Sequence, residues 1–254
     1  MAGLDGRVAL VTGAGSGIGR AIAARLAADG ARVAVADVNA AGAAATVEAI
    51  RAGGGVAEAV AMDVTDFAAV QAAAAGVRER LGPIAILVNN AGWDRVEPFA
   101  DNDPALWERL IAINLKGPIH CTRAVLDDLI AADRGKIVNI SSDAARVGSS
   151  GEAVYAACKG GVVSFSKTMA RELARHQVSV NVVCPGPTQT ALLDEITAGE
   201  QGEKVIAAMT RAIPFRRLAA PAEIAAAVAF FASSDADYVT GQVLSVSGGL
   251  TMAG

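Results

Sequence analysis

The chain has 254 residues, a net charge of −4, 53% hydrophobic and 19% charged residues, which is enough length and apolar content for a sizeable core. The charges are interspersed with no Lys/Arg cluster, which argues against a nucleic-acid partner, and apolar runs such as Ile84–Val88 and Ala225–Ala232 fall well short of the roughly 20 residues that span a bilayer. His120 and His176 stand in no metal-type spacing, Cys121, Cys158 and Cys184 form no C-x-x-C pair, and the N-terminus has no signal-peptide pattern, so the expectation is a cytoplasmic protein with buried thiols and no metal.

In chain order, strand-like runs at Val8–Thr12, Arg32–Asp37, Ala57–Met62, Ile84–Asn89, Lys136–Ser141, Ser179–Cys184 and Gln242–Ser247 alternate with helical stretches. The helical stretches are Gly17–Asp29, Ala40–Ala52, Phe67–Leu81, Pro104–Asp133, Ala153–His176 and Pro221–Ser233. Several strands are near-continuously apolar, the pattern of strands covered on both faces. The alternation predicts an α/β fold: one Rossmann-type, doubly wound parallel sheet of about seven strands flanked by helices. No linker or repeat interrupts it, so residues 1–254 read as a single domain. Thr188–Pro214 is the least regular segment and a candidate mobile lid.

The first strand runs straight into Gly13-Ala-Gly-Ser16-Gly17-Ile18-Gly19, and a helix follows. Glycines permit a tight turn and close approach of the backbone to a pyrophosphate, and a helix N-terminus offers free N–H groups. The spacing is G-x-x-x-G-x-G rather than the strict G-x-G-x-x-G fingerprint, but its place directly after the first strand marks a dinucleotide-binding turn. The second strand ends at Asp37, 18 residues beyond Gly19. A carboxylate there accepts hydrogen bonds from both ribose hydroxyls of an adenosine and repels a 2′-phosphate. No Arg or Lys occupies positions 14–18 or 38–41, so NAD is the expected cofactor. Asp63, after the third strand, is placed to face the adenine edge.

Tyr155 and Lys159 stand four apart in a helical stretch and share a face. A phenol ionises near about 10 in water, too high for a base at neutral pH, and a nearby ammonium lowers that value. Such a tyrosine can exchange a proton with an alcohol oxygen, and Ser142, at the end of the fifth strand, can donate a hydrogen bond to the same oxygen.

Taken in order, Thr12–Gly19, Asp63-Val64, Asn89-Asn90-Ala91-Gly92, Asn114, Ser142, Tyr155-Ala-Ala-Cys-Lys159, Asn181 and Pro185-Gly186 resemble the short-chain dehydrogenase/reductase family over essentially the whole chain. The resemblance implies oxidation of secondary alcohols or reduction of ketones. It implies catalytic roles for Asn114, Ser142, Tyr155 and Lys159, with Asn114 holding a water that links Lys159 to solvent. It also implies cofactor contacts from Gly13, Ser16, Gly17, Ile18, Gly19, Asp37, Asp63, Val64, Asn90, Ala91, Gly92, Tyr155, Lys159, Pro185, Gly186 and Thr188. A homotetramer is implied too, built through the two long helices, where Ala156, Gly160 and Gly161 allow close approach, and through the C-terminal strand region. The stretches Asn89–Asp94, Ser142–Tyr155 and Asn181–Pro187 further resemble dehydrogenases of the 2-hydroxycyclohexane-carboxyl-CoA type. That likeness implies a CoA thioester substrate, with Trp93, Arg146, Ser149 and Gln189 as substrate contacts. A 3-oxoacyl-carrier-protein reductase, a generic NAD-linked sugar or secondary-alcohol dehydrogenase, and a dinucleotide-sensing scaffold stay open as alternatives. Asp37 argues against the NADPH usual for the first, and the complete Asn–Ser–Tyr–Lys set argues against the last.

Overall fold

Successive side chains of a strand point to opposite faces, so an unbroken apolar strand supplies two cores at once. The first strand shows this directly: Ala9 and Val11 enter one buried cluster, Val8 and Leu10 the other. The computed structural model describes residues 4–197 and 202–253. Its strands are β1 (Val8–Thr12), β2 (Arg32–Asp37), β3 (Val56–Ala61), β4 (Ile84–Asn89), β5 (Lys136–Ile140), β6 (Ser179–Pro185) and β7 (Val243–Val246). All pair in parallel in one seven-stranded sheet of order β3-β2-β1-β4-β5-β6-β7. The helices are α1 (Gly17–Ala28), α2 (Ala40–Ala52), α3 (Phe67–Leu81), α4 (Pro104–Ile111), α5 (Gly117–Ala131), α6 (Ala144–Val147), α7 (Ala153–Leu173), α8 (Ala191–Ile196), α9 (Gly202–Ala212) and α10 (Pro221–Ala232).

Apolar residues of α1, α2 and α10 cover one face of the sheet, and those of α3, α5 and α7 cover the other. The predicted α/β doubly wound sheet is therefore the observed one. The order of strands reverses at β1 and β4, the point where such sheets open a crevice at their carboxyl ends. No described helix is long and apolar enough to cross a membrane.

Two expectations need correction. Pro104–Asp133 is not one helix: α4 and α5 are separated by a wide turn over Ala112–Lys116, in which the Gly117 N–H donates to the carbonyl five residues back, Ala112. Pro118 lies four residues after Asn114 and has no N–H, so it cannot supply the α-helical donor to the Asn114 carbonyl. The Thr188–Pro214 segment is not irregular either, since it carries α8 and α9. Its residues 198–201 lie outside the described residues.

Beneath the carboxyl ends of the strands runs a buried polar chain that ties the central strands to α5 and α7. Asn89 donates to Asn139 at 2.8 Å and to Thr122 at 3.3 Å. Asn139 donates to Ser166 at 2.7 Å, and Ser166 to the Val162 carbonyl at 2.7 Å. At the opposite end of β5, Lys136 is 1% exposed and its ammonium lies 2.8 Å from Asp237, which also pairs with Arg134. Burial alone would push the Asp237 carboxyl up, but hydrogen bonds from Lys136 and Arg134 outweigh it and hold the group below its ordinary value.

Removing Asp237 strands a buried ammonium, which costs roughly 3 kcal/mol or more. Asp237→Ala is expected to lower the urea midpoint accordingly. Because the folded value lies below the unfolded one of about 3.9, the pair's contribution is complete at neutral pH and is lost as pH falls through the folded value. Urea titrations of both proteins are expected to converge in acid. An unchanged midpoint at neutral pH would refute this account.

Candidate active site

The glycine turn is built by close packing. Gly17 adopts φ +51°, a left-handed conformation that suits glycine, and a Cβ on Gly19 would lie 2.1 Å from the Gly13 carbonyl oxygen. Ser16 precedes α1 but makes no side-chain capping bond, so the first-turn N–H groups of a twelve-residue helix remain available to a ligand. The turn is locked to the neighbouring strand: Thr12 Oγ1 accepts from the N–H groups of Asn90 (3.0 Å) and Ala91 (2.9 Å), and Asn90 Nδ2 donates to the Thr12 carbonyl at 2.9 Å. At the end of β2, Asp37 accepts from the N–H of Gly15 through Oδ2 and from that of Asn39 through Oδ1, both at 2.8 Å. Asp37 does not cap α2; Asn39 does, accepting from the Gly42 N–H at 3.1 Å. The basic side chain that position counting missed is Arg20, which donates to the Gly15 carbonyl and to Thr46 from behind the turn.

Opposite the cradle, α7 docks on the end of β5. Lys159 is 3% exposed and its Nζ donates to the Ile140 carbonyl at 3.0 Å, while Ser141 Oγ donates to the Lys159 carbonyl at 2.9 Å. Burial pushes the Lys159 ammonium down to about 8. Its Nζ stands 5.6 Å from the centre of the Tyr155 ring. Burial pushes the Tyr155 phenol well above its ordinary value, Asp94 and Glu152 add to this, and only the Ser142 hydroxyl opposes it notably. The phenol is thus raised by the groups around it, with desolvation the first cause, where the sequence led to a depressed one.

Asn114 is fully buried in the wide turn between α4 and α5. Its amide donates to the carbonyls of Trp93 (2.7 Å) and Leu110 (3.1 Å), and its Oδ1 accepts from the Trp93 N–H at 3.2 Å. The side chain therefore fixes the Gly92–Trp93 backbone.

A cleft of about 1110 Å³ collects these features. Gly13, Ser16, Gly17, Ile18, Gly19, Asp37, Asp63, Val64, Asn90, Ala91, Gly92, Pro185, Gly186 and Thr188 line it together with Ser142, Tyr155 and Lys159. Of the expected substrate contacts, Trp93 and Ser149 line it, and Arg146 and Gln189 do not. Arg146 is drawn toward the C-terminus, donating to Ser245 Oγ at 3.0 Å and to the Ala253 carbonyl. Gln189 is exposed, with its N–H given to the Ala219 carbonyl at 2.9 Å. Among the lining residues that escaped the sequence reading are Arg109, whose guanidinium stacks 3.7 Å from the centre of the Trp93 ring, Glu152 before α7, and Thr251 near the C-terminus. Arg109 carries no signal of its own in the sequence, since an exposed arginine on a helix reads as solvated surface.

Residues 7–201 match the family model described as short chain dehydrogenase. The chain is 42% identical to D-threitol dehydrogenase of Mycolicibacterium smegmatis, covering 98% of this chain and 94% of that one. It is 39% identical to 3-oxoacyl-[acyl-carrier-protein] reductase FabG of Vibrio harveyi, covering 98% and 99%. It is 38% identical to galactitol 2-dehydrogenase of Agrobacterium fabrum, again covering 98% and 99%.

Gly92 sits where a side chain would wedge the site apart. A Cβ there would lie 3.0 Å from Asn114 Oδ1 and 3.2 Å from Lys159 Nζ. Contacts this close require the neighbours to shift by a few tenths of an ångström, and a full ångström of misplacement in a site costs about 10²-fold in rate. Gly92→Ala is therefore expected to lower kcat/KM by at least about tenfold with far-ultraviolet circular dichroism unchanged. A variant with wild-type kinetics would show that Lys159 and Asn114 tolerate the shift.

Proposed function

This chain belongs to the short-chain dehydrogenase family and is a nicotinamide-dinucleotide oxidoreductase of secondary alcohols and ketones; from that premise we propose that it is an NAD-dependent dehydrogenase of a cyclic 2-hydroxyacyl-CoA, of the 2-hydroxycyclohexane-carboxyl-CoA type. The observation that carries the reaction is the meeting of Ser142, Tyr155 and Lys159 in the same cleft as the glycine cradle. The residues fit the cofactor: an uncapped helix N-terminus suits a pyrophosphate, and Asp37, with carboxylate lone pairs beyond its two backbone bonds, suits ribose hydroxyls. When bound, NAD supplies the hydride acceptor.

The protein's own part is the proton. Ser142 orients the alcohol oxygen, Tyr155 takes its proton, and Lys159 places a positive charge under the phenol. Asn114 serves this arrangement through its main-chain carbonyl, which has no α-helical donor because Pro118 lacks an N–H. That carbonyl is the group that would hold a relay water. The cyclic acyl substrate is supported by the wall of the cleft, where Trp93, Val96, Met209 and Leu250 offer apolar surface to a ring. Arg109 at Trp93 offers a cation to an anionic carrier such as CoA. A second reading, oxidation of a polyol or another simple secondary alcohol, is favoured by the names of the threitol and galactitol relatives. The proposal includes one catalytic domain over the full chain and a cytoplasmic homotetramer. The three buried, unpaired cysteines support the compartment, and exposed apolar side chains near β7 and the C-terminus, among them Leu244, Leu250 and Met252, support the assembly.

Tyr155→Phe removes the acid/base while leaving the cradle intact. It is expected to lower kcat by roughly 10²-fold or more, the range for a positioned acid/base, with NADH affinity near wild type by fluorescence titration. A Tyr155→Phe enzyme with near-full turnover would overturn the mechanism.

Asp37→Ser is expected to erode the preference for NAD+ over NADP+, read as the ratio of the two kcat/KM values. Steady-state kinetics in which the wild type turns over NADP+ faster than NAD+ would overturn the cofactor assignment. Turnover of a panel of hydroxyacyl-CoA thioesters against threitol and galactitol, followed by NADH absorbance, decides between the two substrate readings.

A further inference from the structure

Two acids beside the cleft, of which Glu152 lines it, have no part in the reaction above. Asp94, two residues beyond Gly92, is 5% exposed, and neither carboxylate oxygen has a hydrogen-bond partner of good geometry among the described residues. Facing it within hydrogen-bonding reach is Glu152, the residue that precedes α7 and lines the cleft. The two segments are held together independently of these side chains: the Glu97 N–H donates to the Gly151 carbonyl at 3.0 Å, and a Cβ on Gly151 would lie 2.8 Å from Val96 Cγ1. The backbone thus holds the Asp94 loop against the start of α7, with Asp94 buried and Glu152 half-buried.

Two carboxylates cannot satisfy one another, since each only accepts hydrogen bonds and the like charges repel. With one proton between them, Asp94 becomes a donor and Glu152 its acceptor, and one of the two orphaned oxygens is accounted for. The other groups facing Asp94 do not supply this. From α7 these are Tyr155, the Cys158 thiol and Lys159, whose ammonium is already given to the Ile140 carbonyl. From its own loop there is the Arg95 N–H, while the Arg95 side chain pairs with Glu97.

We propose that Asp94 and Glu152 share one proton and act together as a positioning pair for Tyr155, clamping the Gly92–Glu97 loop to the start of α7 and keeping a second negative charge away from the phenol. Glu152, directly before α7, and Tyr155 and Lys159 within it follow at spacings of three and four, which sets Glu152, the phenol and the ammonium along one side of α7. Burial, reinforced by Glu152, pushes the Asp94 carboxyl up to about 8, so the proton is held at neutral pH and leaves as pH rises through that value. Its departure places a full charge beside Tyr155 and raises the phenol further, in the same direction that Asp94 and Glu152 already push it. The effect on turnover rests on Tyr155 being the acid/base, whereas the shared proton itself does not.

The test is pH-difference infrared spectroscopy of the intact protein, followed by pH–rate profiles. The wild type is expected to show the C=O band of a protonated carboxylic acid that fades as pH rises through about 8. Asp94→Asn should abolish that band, and Glu152→Gln, which removes the neighbouring charge, should move its midpoint to lower pH. In both variants the Tyr155 ionisation seen in kcat should move to lower pH, with an ionisation constant about tenfold larger for Asp94→Asn, a shift of about one pH unit. No such band in the wild type, or a band that survives Asp94→Asn, overturns the shared proton. A proper band with rate profiles that only scale downward, unmoved along the pH axis, overturns the positioning role. Failure of the Tyr155 mechanism itself is read separately, from Tyr155→Phe turnover. Should Asp94→Asn not fold, the Glu152→Gln midpoint and profile decide alone.

Discussion

Everything in the site depends on how α7 is pinned to the end of β5. Lys159 makes this joint at both ends of itself, with its ammonium on the Ile140 carbonyl and its own carbonyl receiving the Ser141 hydroxyl. An ammonium 3% exposed needs a partner, and the carbonyls at the end of a central strand are the polar groups available at that depth. The joint sets the rotation of α7 about its axis, and with it the placement of Tyr155, one turn earlier. Ser142 comes from the same strand end, so the catalytic groups share one rigid support. The Asn89–Asn139–Ser166 chain below stiffens it from inside the core.

The second constraint is the reversal of strand order at β1 and β4. Because neighbouring helices there lie on opposite faces of the sheet, a crevice opens above the strand ends. Thr12 and Asn90 bridge it with four hydrogen bonds to backbone groups, which fixes the glycine turn relative to the catalytic wall. Asn114 extends the same logic on the far side: its amide is spent entirely on the backbone of Trp93 and Leu110. The polar residues around the cleft thus divide into those that hold backbone in place and those left free for chemistry. Asp94 belongs to neither group until it carries a proton.

Much of this was legible in the order of residues. The seven strands are short apolar runs of a length that only a sheet covered on both faces accommodates, and their boundaries fell within a residue or two of those observed. The glycine turn and Asp37 were legible because their chemistry is local, depending on backbone freedom and on the position of a strand end. Ser142, Tyr155 and Lys159 were legible only through family likeness, since a Tyr–Lys pair at helical spacing is ordinary on a surface. The break between α4 and α5 was missed because helical periodicity runs through it almost unchanged, although Pro118 after Asn114 carried the signal.

The sequence by itself determined the α/β layering, the glycine cradle and the acid at the end of β2, because each follows from interactions between residues close along the chain. Tertiary structure decided the rest. It turned Arg146 away to Ser245 and brought Arg109 to Trp93 instead. It set Asp94 against Glu152, residues far apart in the chain, and placed Tyr155 where desolvation and those two acids raise its phenol. These outcomes depend on burial and on distances across the sheet, and both arise only when packing closes one segment over another.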